Sequence, residues 1–389
     1  MKIGITCYPT HGGSGVVATE LGMELAKRGH EVHFISYALP FRLKEFQENV
    51  VFHEVQMLSY PLFQYPPYTL ALAAKLAEVA DENHLDVMHA HYAIPHAVCA
   101  YLARQVARSS RFKIVTTLHG TDITLVGGDP LFRPLTRFGI EQSDGVTAVS
   151  KYLRQQTQEV FELDRPIEVI PNFVDSAKFT PLGDGSCPKE RFARKGERVL
   201  LHISNFRVSK RVPDVVRIFA AVRREVPSRL LLVGDGPDRV PARELADELG
   251  VSKWIRWLGQ LDAVEDVFSV ADLFILPSKN ESFGLAALEA MSAGVPVIAS
   301  SAEGLPELIR NGETGYLLSV GDVEGMARRA TELLSDAKKH AAMSETSRRV
   351  AIENYEVGKI IPMYEEFYGR VLGHPVRVPQ PYSPPDALA

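Results

Sequence analysis

A chain of 389 residues, 46% hydrophobic and 23% charged, has room for two or three domains with substantial cores and the composition of an ordinary globular protein. Its formal net charge of −5 gives no electrostatic basis for holding nucleic acid or an anionic membrane surface. Cys7, Cys99 and Cys187 are far apart and odd in number, which argues against a disulfide framework and for a reducing, cytoplasmic setting; there is no signal-peptide pattern and no apolar run of membrane-spanning length.

Lys2 to Cys7 reads as a first strand and Gly12-Gly13-Ser14-Gly15 as a glycine-rich turn. Val16 to Arg28, with Val17, Leu21 and Leu25 at helical spacing, is a helix stopped by Gly29, and Glu31 to Ser36 is the next strand. Pro61, Pro66 and Pro67 break the chain before an alanine-rich helix from Thr69 to Asn83. Strands are expected at Asp86 to His89, Lys113 to Leu118, Gly145 to Val149 and Ile167 to Ile170. Strands alternating with helices imply an α/β architecture with a doubly wound, mostly parallel sheet.

Composition changes after Pro171-Asn172, where Pro181, Gly183, Gly185 and Pro188 interrupt a charged stretch without apolar period. A second series of strands follows near Val199 to Ile203, Arg229 to Val233, Ile255 to Leu258, Asp272 to Leu276 and Val295 to Ala299. Helices intervene, most clearly Val212 to Val226 and Pro241 to Leu249, and Val323 to Leu372 is largely helical. The final stretch, with Pro375, Pro379, Pro381, Pro384 and Pro385, reads as a loose tail. Two Rossmann-like domains facing a cleft are the economical picture.

The chain is organised around Pro277 to Gly294. An apolar strand closed by a proline leads into Glu281-Ser282-Phe283-Gly284 and then into a helix from Leu285 to Ala293. Such a turn is where open α/β sheets bind ligands, and the unpaired N–H groups and dipole of the helix start attract an anion. Gly284 permits close approach, and Glu289 lies about 8 Å further along the helix. Two carboxylates so spaced suit two sets of sugar hydroxyls on one extended ligand; for either acid alone, a solvated glutamate on a capped helix is the plainer reading.

Gly13-Ser14-Gly15-Val16-Val17-Ala18 fits a dinucleotide fingerprint, which makes a nicotinamide-dependent oxidoreductase a competitor. That reading needs an acid at the end of the second strand, where Ser36-Tyr37-Ala38 stand instead, so phosphate or sugar contact by Gly13 and Ser14 is preferred, with a tight turn for close helix packing as the plainer alternative. Asn205 to Arg211 brings three cations, Arg207, Lys210 and Arg211, to a strand end, placed to neutralise a diphosphate, although for this motif alone a charged surface turn is the plainer reading. The Gly234 turn and the strand end at Leu258 supply backbone groups where a nucleotide base could lie. His89-Ala90-His91-Tyr92 and His119-Gly120-Thr121-Asp122 fall at other strand ends. A metal site from His89, His91 and His96 is disfavoured on the ground that alternating strand residues point to opposite faces; there is no Asp-x-Asp pair and no Gly-x-Ser-x-Gly elbow.

Glu281 and Glu289, separated by seven residues around Ser282-Phe283-Gly284, resemble the signature of the family 4 retaining glycosyltransferases with the type B fold, and the resemblance runs from about residue 2 to 370. Gly4 to Gly22, His89 to His96, Leu118 to Thr124 and Ser204 to Arg207 look more narrowly like the branch that joins N-acetylglucosamine to L-malate in bacillithiol biosynthesis. The resemblance implies UDP-GlcNAc as donor and L-malate as acceptor, an acceptor domain over 1–172, a donor domain over 173–354, a helix over 355–372 crossing back, and a Pro-rich tail over 373–389. It implies that Glu289 holds the ribose and Glu281 the donor sugar, with backbone amides from Phe283, Gly284 and Leu285. Lys210 with Arg207 would compensate the diphosphate, His119 would lie against the donor sugar, and Gly13 and Ser14 would cover the reacting centre. Asn205 stands where many relatives carry an arginine. Malate is a dianion and needs donors, for which Tyr92, Thr121 and Arg154 are the expected set. No cofactor, metal, nucleic acid or membrane is expected, and a homodimer is compatible with the sequence. The rivals are a sibling transferase with an inositol-type acceptor, a UDP-sugar epimerase of the same fold and, least favoured, a NAD-dependent oxidoreductase.

Overall fold

A computed structural model describes residues 1–10, 12–43, 46–57, 65, 67–109, 111–124, 126–181 and 189–374. Pro61, Pro66, Gly183, Gly185, Cys187, Pro188 and the expected tail from residue 375 lie outside the described residues. The chain forms two compact units, Met1–Pro171 together with the chain from Ile360, and Asn172–Lys359.

The first unit is built on a parallel sheet of β1 (Lys2–Thr6), β2 (Glu31–Ser36), β3 (Val50–Glu54), β4 (Val87–His91), β5 (Lys113–Leu118), β6 (Gly145–Ala148) and β7 (Glu168–Val169), in the order β3-β2-β1-β4-β5-β6-β7. The strand order reverses between β1 and β4, so the crevice at their carboxyl ends is where such sheets receive ligands. The helix after β1 is Gly13–Lys27, three residues earlier than Val16. Gly15 is therefore inside it, because a Cβ there would lie 2.5 Å from the Tyr8 carbonyl oxygen and 2.8 Å from that of Thr10.

The end of the last helix, Val357–Leu372, belongs to the first unit from Ile360 onward. It buries Tyr364 and Tyr368 completely, and a Cβ on Gly145 would meet Phe367 and Val371 at under 3 Å. Buried Glu365 takes two hydrogen bonds from Arg28, at 2.8 and 2.7 Å, and contacts His30 at 2.9 Å. These bonds hold its carboxyl below the usual range despite burial.

The second unit repeats the plan with β8 (Arg198–Ile203), β9 (Ser228–Val233), β10 (Ile255–Gly259), β11 (Leu273–Leu276), β12 (Val297–Ser300) and β13 (Gly315–Leu318), in the order β10-β9-β8-β11-β12-β13. All four residues of β11 are buried, as a parallel strand covered on both faces requires. The helix Val212–Glu225 turns Val215, Ile218, Phe219 and Val222 onto Leu230 and Leu232 in the core. Here the reversal falls between β8 and β11, which aims the turns after Ile203 and Leu276 at one crevice.

Candidate active site

After β11 the chain runs to the helix Leu285–Ser292 through Gly284, which has φ +96° and would bring a Cβ to 2.6 Å from Leu305 Cδ2. Glycine is required there on both counts. No side chain caps the helix start, so its first N–H groups remain available to an anion. The Phe283 ring is buried edge-on against Tyr355 at 5.8 Å, which leaves only its backbone for a ligand. Glu289 is buried in the second turn of the same helix.

Glu281 is fixed from three sides. Its Oε2 accepts from Lys210 Nζ at 2.6 Å, its amide donates to Glu303 Oε2 at 2.7 Å, and its carbonyl accepts from the Gly304 amide at 3.0 Å. Asn280 Nδ2 donates to the other Glu303 oxygen at 2.7 Å. Glu303 holds this position with φ +48°, a left-handed backbone that is uncommon outside glycine. Gly304 must be glycine, since a Cβ would lie 2.0 Å from the Ser282 carbonyl oxygen. The Lys279 amide donates to Ser209 O at 2.7 Å, so the two turns at this crevice are joined through their main chains as well as through Lys210.

Of the three cations expected together, one is turned aside. Arg211, at φ +54°, bonds Asp214 Oδ2 through Nε at 2.6 Å, and Asp214 also takes Arg217 at 2.7 Å. Arg207 is exposed at the start of the short Val208–Lys210 turn and makes no ion pair among the described residues. Asn205 is likewise exposed, while Phe206 beside it is buried. His202, buried in β8, reaches Ile275 O with Nδ1 and Ser204 Oγ with Nε2, both at 2.8 Å, and so ties this turn to β11. Burial lowers its pKa to about 4, so it is neutral.

The neighbouring strand ends close the arrangement. Gly234 has φ +123°, and a Cβ would fall 1.7 Å from Ser204 O; its amide donates to Gly259 O at 2.7 Å. The β9–β10 register slips between Trp257 and Gly259, so Leu258 sits in a bulge, a device that re-aims a strand end.

In the first unit, Gly13 and Ser14 start the helix after β1 and Tyr92 follows β4, at the strand reversal. Ser14 Oγ and Tyr92 Oη are 2.8 Å apart, and Thr121 also hydrogen-bonds Tyr92. Burial, partly offset by these bonds, pushes the Tyr92 phenol up to about 12. Tyr92 itself has φ +96°, strain of the kind stored at functional sites. Arg154, partly exposed on the helix Lys151–Phe161 after β6, joins none of these bonds and makes no ion pair among the described residues.

His89 and His91 are two apart in β4 and therefore share a face; their ring centroids are 4.3 Å apart, contrary to the expectation of opposite faces. Most of the ring nitrogens are engaged with other groups: His89 with Tyr368 Oη at 2.8 Å and Thr117 Oγ1 at 2.7 Å, His91 Nδ1 with His119 Nε2 at 2.9 Å, while the Nε2 atoms of His91 and His96 are buried without a partner among the described residues. His96 Nδ1 donates to His91 O at 2.7 Å. Among the described residues no three His, Cys, Asp or Glu side chains converge as metal ligands. Asp122 is buried and accepts from the amides of Ala93, His119 and Gly120 at 2.9, 3.2 and 3.0 Å; burial still raises its pKa to about 6.

Glu303, His202 and Asp122 were not assigned roles by sequence reasoning. The available signals were an acid before glycine at a strand end, a histidine inside the apolar run Val199-Leu200-Leu201-His202-Ile203, and an acid in the Leu118–Thr124 motif.

The Glycosyltransferase Family 4 model matches residues 11–178, and the Glycosyl transferases group 1 model matches residues 187–350. The chain is 50% identical over 372 residues to N-acetyl-alpha-D-glucosaminyl L-malate synthase of Bacillus anthracis, covering 96% of this chain and 97% of that protein. It is 30% identical over 353 residues to D-inositol 3-phosphate glycosyltransferase of Nocardia farcinica, covering 84% and 77%. A crystal structure of a glycosyltransferase from Rickettsia africae shares the fold, with TM-score 0.78 at 21% identity over 95% of this chain and 98% of that one.

Proposed function

The chain belongs to the family 4 glycosyltransferases with the type B fold of two parallel-sheet domains, and from that premise we propose that it is a cytoplasmic enzyme transferring N-acetylglucosamine from UDP-GlcNAc to the hydroxyl of L-malate with retention of configuration. The observation that carries the reading is the 50% identity with the N-acetyl-alpha-D-glucosaminyl L-malate synthase, which extends over nearly the full length and so includes the acceptor-side unit as well as the donor-side one.

The second unit takes the donor. Glu289 receives the ribose hydroxyls and Glu281 the sugar hydroxyls, with the amides of Phe283, Gly284 and Leu285 at the helix start directed to phosphate oxygens. Gly234 and Leu258 offer backbone groups to the base, beside Asn205. Lys210 and Arg207 stabilise the charge that builds on the diphosphate as its bond to C1 breaks. The malate oxygen bonds to the same face of C1 and its proton passes to the departing phosphate. The Glu281 carboxylate is engaged with Lys210 and its amide with the Glu303 carboxylate, which suits a hydroxyl ligand better than a nucleophile. In the first unit, neutral His119 bonds the sugar, Gly13 and Ser14 line the reacting centre, and Tyr92, Thr121 and Arg154 receive the malate carboxylates.

UDP release followed with L-malate, with an inositol phosphate and with no acceptor tests this directly. Malate-dependent release accompanied by a glycosylated malate in the mass spectrum is expected. Release only with the inositol acceptor would move the chain to the sibling reading, and acceptor-independent release would leave an epimerase or a hydrolase.

A further inference from the structure

Behind His119 stands a group of imidazoles that the reaction does not use. His91 Nδ1 lies 2.9 Å from His119 Nε2 with the two rings stacked at 5.1 Å, and His96 Nδ1 lies 2.7 Å from the His91 carbonyl oxygen. His89, His91 and His96 are completely buried. We propose that His91 is a positioning residue that fixes His119 as the Nδ1–H tautomer, so that His119 presents a hydrogen-bond donor, and not a base, to its ligand.

The assignment follows from counting protons. Two ring nitrogens facing each other at hydrogen-bond distance need one proton between them. Burial lowers the pKa of His119 to about 3 and depresses His91 as well, so both rings are neutral and each carries one N–H. If His119 donated from Nε2, the proton of His91 would sit on its own Nε2. That atom is buried and has no partner among the described residues. An orphaned buried N–H is the rarer and costlier defect, whereas a bare ring nitrogen is tolerated more readily. His91 therefore donates from Nδ1, its Nε2 carries only a lone pair, and the proton of His119 sits on Nδ1. The same logic applies next door: His96 Nδ1 faces a carbonyl, which only accepts, so its buried Nε2 is bare too. Although neighbouring side chains crowd the ring, His119 keeps part of its surface exposed, and its Nδ1 has no partner among the described residues. Nδ1–H is thus the group His119 offers outward.

The consequence for the reaction rests on the reading that His119 meets the donor sugar; the tautomer does not. Histidine-selective 15N labelling of the full chain, with the His119 resonances identified by comparison with His119→Gln, reports in long-range proton–nitrogen spectra which nitrogen is protonated at neutral pH. Nδ1–H on His119 is expected, and Nε2–H would overturn the proposal without any substrate being present. His91→Leu should then lose the tautomer preference and lower kcat about tenfold at unchanged KM for malate, as expected for one lost hydrogen bond. His91→Asn, whose side-chain amide can donate from near the Nδ1 position, should restore most of the rate. A correct tautomer with full activity in His91→Leu would instead remove the His119–sugar contact, and with it the positioning role. If His91→Leu does not fold, the spectrum of the unaltered chain still decides.

Discussion

Replacing Lys210 with alanine tests the donor assignment at its centre. The Lys210 and Glu281 side chains are 19% and 17% exposed, so the pair sits between bulk water and the interior, where an effective dielectric near 20 applies. A unit charge about 4 Å away is then worth roughly 4 kcal/mol, and a single donor to a developing oxyanion is worth about 2.7–4 kcal/mol in practice. Turnover should therefore fall about 10²- to 10³-fold. The structural loss is smaller: an ion pair this accessible contributes on the order of 1 kcal/mol, or a few degrees in Tm for a chain of this size. Steady-state UDP release at saturating malate, with a thermal melt on the same preparation, separates the two effects. A kcat within about fivefold of the parent at a normal Tm would refute the role of Lys210. The cations beside it give an internal control. Arg211→Ala should leave kcat nearly unchanged because its guanidinium is bound to Asp214, whereas Arg207→Ala should lower it about tenfold. The opposite ranking would reverse the assignment.

Arg154→Ala should raise KM for malate while changing kcat and the donor KM little; an unchanged malate KM excludes it from the acceptor set. Gly234→Ala forces a Cβ to 1.7 Å from a backbone oxygen at φ +123°, and should cost more than about 3 kcal/mol in urea unfolding. A loss under about 1 kcal/mol would mean that the Ser204 turn can move aside. Acid should destabilise the first unit. Burial lowers His89 and His119 to about 3, His96 to about 4 and His91 in the same direction, against about 6.5 in the unfolded chain. The unfolded state then binds protons that the folded state refuses, so stability present above that value is lost as pH falls, at about 1.4 kcal/mol per pH unit for each histidine. Asp122, raised to about 6, has the opposite sign, stabilising more as pH falls from about 6 towards 4 and offsetting one proton. Urea midpoints that stay flat from pH 7 to about pH 5 would contradict the four neutral imidazoles.

Much of the fold is legible in short apolar runs punctuated by glycine and proline: β2 and β5 have the bounds expected of them. Two strands escape that reading. β3 is a sheet edge with mixed exposure whose apolar run is only Val50-Val51-Phe52, and β13 begins at Gly315, where a Cβ would lie 2.1 Å from Val297 O. The true start of the helix after β1 is masked in the sequence because its third residue, Gly15, is a poor helix former demanded by the Tyr8 and Thr10 carbonyls. At the candidate site, spacing places Glu281, Gly284 and Lys210 at strand ends, but it cannot say which cation turns away or what holds the acid. Those answers depend on Asp214, three residues from Arg211, and on Glu303, 22 residues beyond Glu281 on the next strand end.

Glu303 also bears on any attempt to make the protein more robust. A search for backbone strain would single it out, and glycine would relieve about 1 kcal/mol at φ +48°. The same exchange would delete the carboxylate that holds the Asn280 side chain and the Glu281 amide. At this one position, improving the scaffold and preserving the site call for different residues.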